Sequence, residues 1–319
     1  MPESQEAALA HHHLTALQSD LGLWDEARQQ ARISLRLADS NEDLGPNLRA
    51  SLYDVVGRVQ DCSGDAARAL ITFRKAQAIR NDALEPQSVD VALSHNNVAA
   101  ALSSLTRWDE AGREYAQALR IVEILGGPES PETGVVIGNL GTCYRWQGRF
   151  DEAIDHYRRA LPMLQSGKGE YRRRLGPLLH DLGEAHYLRG EFDEALARFR
   201  EARSEYEEVL GSDHDRVAAA LTAIGNCFVA LRDHARALPH YERALALRAA
   251  PSTAPGPLGE SRFGLAIALF YSGTDRSRAL RLAAEALEDF RRAGPLGEGN
   301  LTQVREWLAQ QQGDDLTLN

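Results

Sequence analysis

The feature that most constrains the fold of this chain is an alanine that recurs every 42 residues. The alanines of this single frame are Ala27, Ala69, Ala111, Ala153, Ala195, Ala237 and Ala279. Phe or Tyr stands four residues after the alanine in five of the seven repeats, and Ala or Ser stands seven residues after it in all of them. Side chains at these spacings share one face of an α-helix. A period of this length predicts a solenoid of stacked repeats.

Two further positions complete the repeat. A small residue stands twelve positions before the alanine, at Gly57, Ala99, Gly141, Gly183 and Gly225. A glycine stands five positions before it, at Gly22, Gly64, Gly148 and Gly190. We expect the first position to let two helices approach closely, and the second to form a tight turn between them. Each repeat is therefore predicted to consist of helix A, a turn and helix B, with apolar faces buried by the neighbouring repeats.

The composition favours an all-α fold and argues against several classes of partner. Ala, Leu, Arg and Glu are abundant, whereas Val, Ile and Thr are too sparse for a large sheet. No stretch reaches the ~18 apolar residues of a membrane helix, and the acidic N-terminus has no secretory signal. The net charge of −10 argues against nucleic acid as a partner.

The three cysteines, Cys62, Cys143 and Cys227, are odd in number and far apart in the sequence. This pattern argues against a disulfide framework and against a CxxC metal site. It favours a reducing compartment. We therefore expect a cytoplasmic protein with no membrane partner, no metal and no cofactor.

The repeat resembles the tetratricopeptide repeat family, which has a small residue in helix A and the same Ala, aromatic and Ala spacing in helix B. The common repeat of that family has ~34 residues, and the 42-residue version resembles the subgroup found in kinesin light chains and in many bacterial signalling proteins. Asn-Asn-Val-Ala at residues 96–99 and Leu-Gly-Ser-Asp-His-Asp at 210–215 look like the helix A motif and the linker of that subgroup. The resemblance implies a right-handed superhelical solenoid of seven helix pairs with a C-terminal capping helix.

We predict a single repeat array over residues 1–312. The seven helix pairs are expected at residues 4–40, 46–82, 87–125, 131–165, 171–210, 214–249 and 258–293, and the capping helix at 297–312. An apolar stripe of Leu301, Val304, Trp307 and Leu308 marks that cap. Residues 250–259, rich in Pro and Gly, are predicted to be a linker inside the array, and residues 313–319 a flexible tail.

In the family that the repeat resembles, side chains of helix A line a concave groove that holds peptides. Carried into this frame, the expected ligand-binding residues are Asp54, Arg58, Asn96, Asn97, Asn139, Thr142, Arg145, His180, Asp181, Glu184, Tyr187 and Asn226. An amide side chain donates and accepts hydrogen bonds, so a row of asparagines suits the backbone of an extended peptide. Polar residues on an exposed helix face are equally expected without any ligand.

Residue types that can bind metals or catalyse reactions are present, but their spacing does not suit either role. His180 and Glu184 stand four residues apart and could supply two zinc ligands, but no third ligand is evident. We find no phosphate loop, no nucleophile elbow and no HExxH motif. The chain is therefore not expected to be an enzyme.

The expected function is that of a scaffold or adaptor that binds a peptide or helix of a partner protein in its concave groove. Arrays rich in Arg and Ala resemble those attached to bacterial Ser/Thr kinases, caspase-like proteases and STAND-type regulators. The resemblance implies a role in bacterial signalling, as the partner, substrate or regulator of such a kinase or protease. A regulatory protein that senses a small ligand or a signal peptide is the alternative, and a homo-oligomer formed through the solenoid ends is a further possibility.

Overall fold

The computed structural model describes residues 5–20, 23–41, 43–250 and 253–317, and this described chain is helical throughout. It contains fifteen α-helices, one short 3-10 helix and no strand. The contacts divide it into two compact units, Met1–Tyr171 and Arg172–Asn319.

The first unit contains four helix pairs. Its A helices are α1 (Gln5–Asp20), α3 (Pro46–Cys62), α5 (Val89–Ser104) and α7 (Pro131–Trp146). Its B helices are α2 (Trp24–Ser40), α4 (Ala66–Ala83), α6 (Trp108–Gly126) and α8 (Phe150–Ser166). Each A helix packs on the B helix of its own repeat, and α2, α4 and α6 pack on the next A helix.

The second unit continues the alternation, with α9 (Glu170–Leu188) starting at the boundary. The A helices that follow are α11 (Asp215–Ala230) and α13 (Pro255–Tyr271), and the B helices are α10 (Phe192–Leu210), α12 (His234–Leu247) and α14 (Arg276–Arg292). A 3-10 turn (Gly294–Gly297) leads into the last helix, α15 (Glu298–Thr317). Val304 and Trp307 of α15 are buried in a cluster with Phe263 and Phe290.

The helix boundaries keep the period of the sequence. The seven B helices begin at residues 24, 66, 108, 150, 192, 234 and 276, which are 42 residues apart. The all-α, paired-helix fold is therefore confirmed. The predicted linker is shorter than expected because α13 already begins at Pro255, a residue type that suits the first helical turn. Helix α15 extends to Thr317, beyond the predicted end at residue 312, and the single array over both units stays a prediction.

The small residue of helix A is required because an aromatic ring of helix B occupies the adjacent space. A Cβ atom added at Gly57 would lie 2.6 Å from the ring of Phe73, closer than carbon atoms approach one another. The same contact recurs two repeats later, where a Cβ atom at Gly141 would lie 2.9 Å from Tyr157. The aromatic residue therefore sets the separation of the two helices in the repeats that carry this pair.

One residue of the turn between helix A and helix B adopts a left-handed backbone conformation. Positive φ angles occur at Gly64, Thr106, Gly148, Gly190 and Arg232, which follow one another at 42-residue steps. The amide after this residue closes helix A, as where Arg107 donates to the carbonyl of Leu102 at 2.9 Å. The predicted turn glycines are confirmed at residues 64, 148 and 190, whereas Gly22 lies outside the described residues.

Replacing Thr106 by glycine is expected to stabilise the protein. A left-handed conformation costs an L-residue about 1–2 kcal/mol, whereas glycine loses only about 0.5–1 kcal/mol through the greater freedom of the unfolded chain. We expect Thr106→Gly to raise the free energy of unfolding by up to about 1 kcal/mol in urea titrations. The matched control, Gly148→Ala, should lower it. A Thr106→Gly protein less stable than the wild type would contradict the strain assigned to this turn.

Candidate peptide-binding surface

Two of the predicted groove residues, Asp54 and Asn97, are buried at the junction of α3, α4 and α5. Asp54 is 5% exposed and Asn97 is 9% exposed. The carboxylate of Asp54 accepts hydrogen bonds from Arg80 Nη1 at 2.6 Å and from Asn97 Nδ2 at 3.0 Å. Burial raises the pKa of Asp54, and the positive charge of Arg80 acts against that rise. These side chains join two neighbouring repeats.

Arg80 is the centre of this polar junction, and the sequence analysis missed it. It is 1% exposed and also donates to Asn47 Oδ1 at 3.0 Å and to Ser94 Oγ at 2.8 Å. Arginine is seldom buried unless its donors are satisfied. Its place in the frame, eleven residues after the repeated alanine, holds an apolar residue in most other repeats. An arginine at an otherwise apolar position was the signal that could have revealed it.

The second unit contains an equivalent junction. Arg248 occupies the same place in the frame and is also buried. It donates to Asp215 Oδ1 at 2.8 Å, to Ser261 Oγ at 2.8 Å and to the carbonyl of Pro257 at 3.0 Å. Asp215 stands where Asn47 stands in the first unit. Each unit is therefore joined internally by a buried arginine that links three helices.

The asparagines Asn96 and Asn139 form a pair on successive A helices of the first unit. Nδ2 of Asn139 donates to Oδ1 of Asn96 at 2.7 Å, and both residues are partly exposed. The bond leaves the amide N–H groups of Asn96 and the Oδ1 atom of Asn139 available to a ligand. The pair thus presents donors beside an acceptor.

The remaining predicted residues of the first unit lie along α3 and α7. Arg58 is exposed. Thr142 Oγ1 accepts the hydroxyl of Tyr157 at 3.0 Å and donates to the carbonyl of Gly138 at 3.3 Å. Arg145 is buried, with its guanidinium 4.8 Å above the ring of Trp146. The predicted residues therefore range from an exposed cation to fully packed side chains.

An aromatic surface that the repeat pattern does not predict lies at the end of α7. Trp146 is 60% exposed and stacks on Trp108, with ring centroids 6.3 Å apart and planes 4° from parallel. The two rings border an open depression of about 820 Å³ that Arg107, Glu110 and Arg113 also line. Trp108 stands three residues before the repeated alanine, as Phe150 and Phe192 do in the next two repeats, whereas Trp146 has no aromatic counterpart one repeat away.

In the second unit the predicted residues of α9 form an acidic surface. Glu184 Oε1 lies 3.6 Å from His180 Nε2, and the imidazole packs 5.1 Å from the ring of Phe199. Burial raises the pKa of Glu260 on α13, and the negative charge of Glu184 adds to that rise. Asp181 and Glu184 also help to raise the pKa of Tyr206 to about 12, after the larger effect of burial. The positive charges of Arg248 and Arg216 act against these rises in the pKa of Glu260 and Tyr206, so carboxylates and guanidinium groups lie close together here.

The two other predicted residues of this unit are held by aromatic rings. Tyr187 packs edge-on against Phe192 at 5.3 Å, and burial raises its pKa. Asn226 is exposed, and its Oδ1 accepts the hydroxyl of Tyr241 at 2.6 Å.

No metal site is visible in the part of the chain that the structure describes. Among those residues no three His, Cys, Asp or Glu side chains are grouped closely enough to hold an ion. All three cysteines are free thiols. Of the described helices, none combines the length and the apolar character needed to cross a membrane.

The fold and these surfaces define an interaction module made of helical repeats. Residues 90–166 and 175–250 match the family model of the tetratricopeptide repeat, so these two segments are tetratricopeptide repeats. Proteins with this repeat generally bind proteins or peptides. No curated protein matches the sequence.

Solved structures of similar fold have low sequence identity. BtubC (BKLC) from P. vanneervenii is 23% identical with a TM-score of 0.53, over 65% of this chain and 82% of that chain. A STAND protein with a tetratricopeptide repeat sensor from Pyrococcus horikoshii is 16% identical with a TM-score of 0.67, over 96% of this chain and 45% of that chain. A Rap protein complexed with Competence and Sporulation Factor is 15% identical with a TM-score of 0.63, over 96% of this chain and 88% of that chain. These similarities establish the fold alone.

Removing Arg80 is expected to destabilise the first unit strongly. Arg80→Met leaves the carboxylate of Asp54 buried without its cation, which costs about 3 kcal/mol. Adding Asp54→Asn removes that buried charge and should restore most of the lost free energy of unfolding, measured by urea titration. The control is Arg107→Met, which breaks an exposed pair with Glu110 and should cost much less. Equal losses for the two single variants would contradict the role of Arg80.

His12 is expected to contribute to acid unfolding. Burial, assisted by the charges of His13, Arg58 and Arg80, lowers the pKa of His12 from 6.5 to about 4. Between these pH values the unfolded chain binds a proton that the folded chain does not bind, so stability falls as the pH falls. We expect His12→Asn to lose less stability than the wild type between pH 6.5 and 4, measured by urea titration. Gln117→Asn, an exposed substitution on α6 that changes no titratable group, should follow the wild-type profile.

Proposed function

We propose that the protein is an interaction scaffold or adaptor that binds a peptide or helix of a partner protein in a concave groove lined by its A helices. The repeats support this proposal because their family generally mediates protein or peptide binding. The role requires no catalytic group and no cofactor, and we place the protein in the cytoplasm.

The observation that carries the proposal is the hydrogen-bonded pair of Asn96 and Asn139. An extended peptide exposes N–H and C=O groups along its edge, and each needs a partner when the peptide is bound. The pair offers free amide donors on one residue and a carbonyl acceptor on the next. Their mutual bond fixes both side chains in advance, so less side-chain freedom is lost on binding.

The charged residues of each unit, taken separately, suggest which ligand groups that unit would accept. Arg58 is exposed on α3 of the first unit and suits an acidic ligand group. In the second unit the carboxylates of Asp181 and Glu184 lie on α9 and suit a basic group. We therefore propose that Arg58 pairs with acidic groups of a partner and that the carboxylates of α9 pair with basic groups.

We further propose a role in bacterial signalling or regulation, as the partner, substrate or regulator of a kinase or a caspase-like protease. The STAND protein of similar fold carries a tetratricopeptide repeat sensor, which supports a signalling context. The 42-residue period, together with the similarity to BtubC (BKLC), supports the narrower kinesin-light-chain-like subgroup.

A sensor of a small ligand or signal peptide is the second candidate. The stacked rings of Trp146 and Trp108 beside the open depression support it, because exposed aromatic rings supply contact area for a ligand. The Rap protein of similar fold was solved with a signalling factor bound, which supports the same candidate.

The test begins with partners cross-linked to the wild-type chain in its native cell, followed by synthesis of the captured segment as a peptide. The double variant Asn96→Ala, Asn139→Ala should raise the Kd of that peptide roughly thirtyfold, since two hydrogen bonds of about 1 kcal/mol each are lost. Asn97 is left intact because it holds the buried carboxylate of Asp54.

The matched control places two alanines on helix B, at the exposed Gln117 and Arg120 of α6. Calorimetric titration should give the wild-type Kd for this control. If the control variant binds the peptide more weakly while the asparagine variant keeps the wild-type affinity, the assignment of the binding surface to helix A is wrong. A small molecule bound to the native protein in intact-mass spectra, with no protein partner, would favour the sensor.

A further inference from the structure

Three arginines and a histidine of the second unit are gathered around the buried ring of Phe228. The Cζ atoms of Arg236 and Arg200 lie 4.5 and 5.9 Å from the centre of this ring. The imidazole of His240 stacks on it, with ring centroids 5.5 Å apart and planes 16° from parallel. Arg203 is close enough to His240 for its charge to lower the pKa of that side chain. We call these four polar residues, which come from two successive B helices, the α10–α12 cluster.

Positive charge in the α10–α12 cluster exceeds the negative charge beside it. Arg236 pairs with Asp233 at 3.2 Å, and Nε of Arg203 lies 3.4 Å from Oε1 of Glu207. Arg200 is exposed and makes no ion pair within the described chain. This excess occurs in a chain whose net charge is −10. A local positive potential of this kind attracts anionic groups.

The imidazole of His240 has hydrogen-bonding groups that the protein leaves unused. It is half-buried and makes no hydrogen bond in the part of the chain that the structure describes. Burial lowers its pKa, and the charges of Arg203, Arg200 and Arg236 lower it further. A neutral imidazole still carries one N–H donor, and each guanidinium carries five. The cluster therefore offers several N–H donors in one place.

The arginines contributed by α10 are not part of the repeat. Arg203 stands eight residues after the repeated alanine, where five of the other six repeats have leucine. Charged side chains seldom replace apolar ones at packed positions. Helix packing alone therefore does not account for Arg203.

The fourth repeat contains the same ring contact in a different electrostatic setting. Tyr144 and His156 stand at the places in the frame that Phe228 and His240 take in the sixth repeat. Their ring centroids are 4.9 Å apart, and Nδ1 of His156 lies 2.8 Å from the carbonyl oxygen of Glu152. One nitrogen of this imidazole is therefore already engaged.

The helix before this second ring pair carries no matching arginines. Helix α6 has Ala116 and Leu119 at the places where α10 has Arg200 and Arg203. A histidine can therefore pack on an aromatic ring in this frame without a cationic cluster. The comparison separates the arginines from the structural role of the ring contact.

We infer that the α10–α12 cluster binds a phosphate-type oxyanion. Guanidinium groups form charge-assisted hydrogen bonds to phosphate, whose several oxygen atoms can accept from more than one side chain. Free phosphate and the phosphate group of a modified side chain share this chemistry. The cluster lies on B helices and goes beyond the proposed groove of the A helices. Phosphate binding should therefore survive in the double variant Asn96→Ala, Asn139→Ala.

The test follows the histidine signals of the full chain by NMR while inorganic phosphate replaces chloride at constant ionic strength. A bound anion offsets the charges of the arginines, so the pKa of His240 should rise. The pKa of His156 should stay unchanged and serves as an internal control. His240→Gln identifies the signal of His240. If phosphate leaves the pKa of His240 at its value in chloride, or raises both pKa values equally, the inference is wrong.

Variants of α10 test the arginines directly. The double variant Arg200→Gln, Arg203→Leu introduces the leucine of the other repeats, so it should remain folded. It should raise the Kd of inorganic phosphate at least roughly tenfold, the loss expected for one charge-assisted hydrogen bond. Arg158→Gln, at the place of Arg200 on α8 and also exposed, is the matched control and should keep the wild-type Kd. A double variant with the wild-type Kd overturns the inference.

Two synthetic peptides distinguish the sources of the oxyanion. A short Gly-Ser peptide with one phosphoserine is compared with its unphosphorylated form and with inorganic phosphate. A lower Kd for the phosphorylated peptide than for inorganic phosphate supports the site as one for a phosphorylated partner, whereas the reverse order supports free phosphate as its ligand. Equal binding of the two peptides contradicts recognition of a phosphate group.

Discussion

The close approach of helix A and helix B within each repeat is the contact on which the rest of the structure depends. The ring of Phe73, or its counterpart in another repeat, lies against a residue with little or no side chain, such as Gly57. Because the ring fills this space, the pair has one spacing and one orientation, and its outer faces recur in the same form 42 residues later. Stacking then follows, since each repeat can bury its apolar side only against a neighbour.

Polar contacts refine this apolar framework at specific points. Arg80 and Arg248 stand where most repeats place an apolar side chain, and each ties a B helix to the A helices on both sides. A guanidinium buried without its partners would cost several kcal/mol, so these junctions tolerate few alternative packings. They also use Asp54 and Asn97, two residues that the frame alone assigns to the groove. The partly exposed pair Asn96 and Asn139 is the more suitable contact for a peptide.

The two units present different chemistry on their A helices. In the first, Arg58 is exposed and an amide pair lies between neighbouring helices. In the second, Glu184 adds to the rise in the pKa of Glu260, and Asp181 and Glu184 add to the rise in that of Tyr206, after the larger effect of burial in both cases. These positions differ between the two units, whereas the repeated alanine is the same in both.

The sequence by itself determined the class, the repeat length and the turn positions, because each follows from local spacing. Alanine, aromatic and glycine recur at fixed intervals, and Gly64 and Gly148 adopt the left-handed turn that their positions predict. Which polar side chains remain exposed was decided only by tertiary structure. The frame places Asn96 and Asn97 side by side, yet one is partly exposed and the other buried against Asp54. Asn97 bonds to Asp54 of the neighbouring helix α3, whose carboxylate also binds Arg80 of α4, and no spacing within a single helix can reveal this contact.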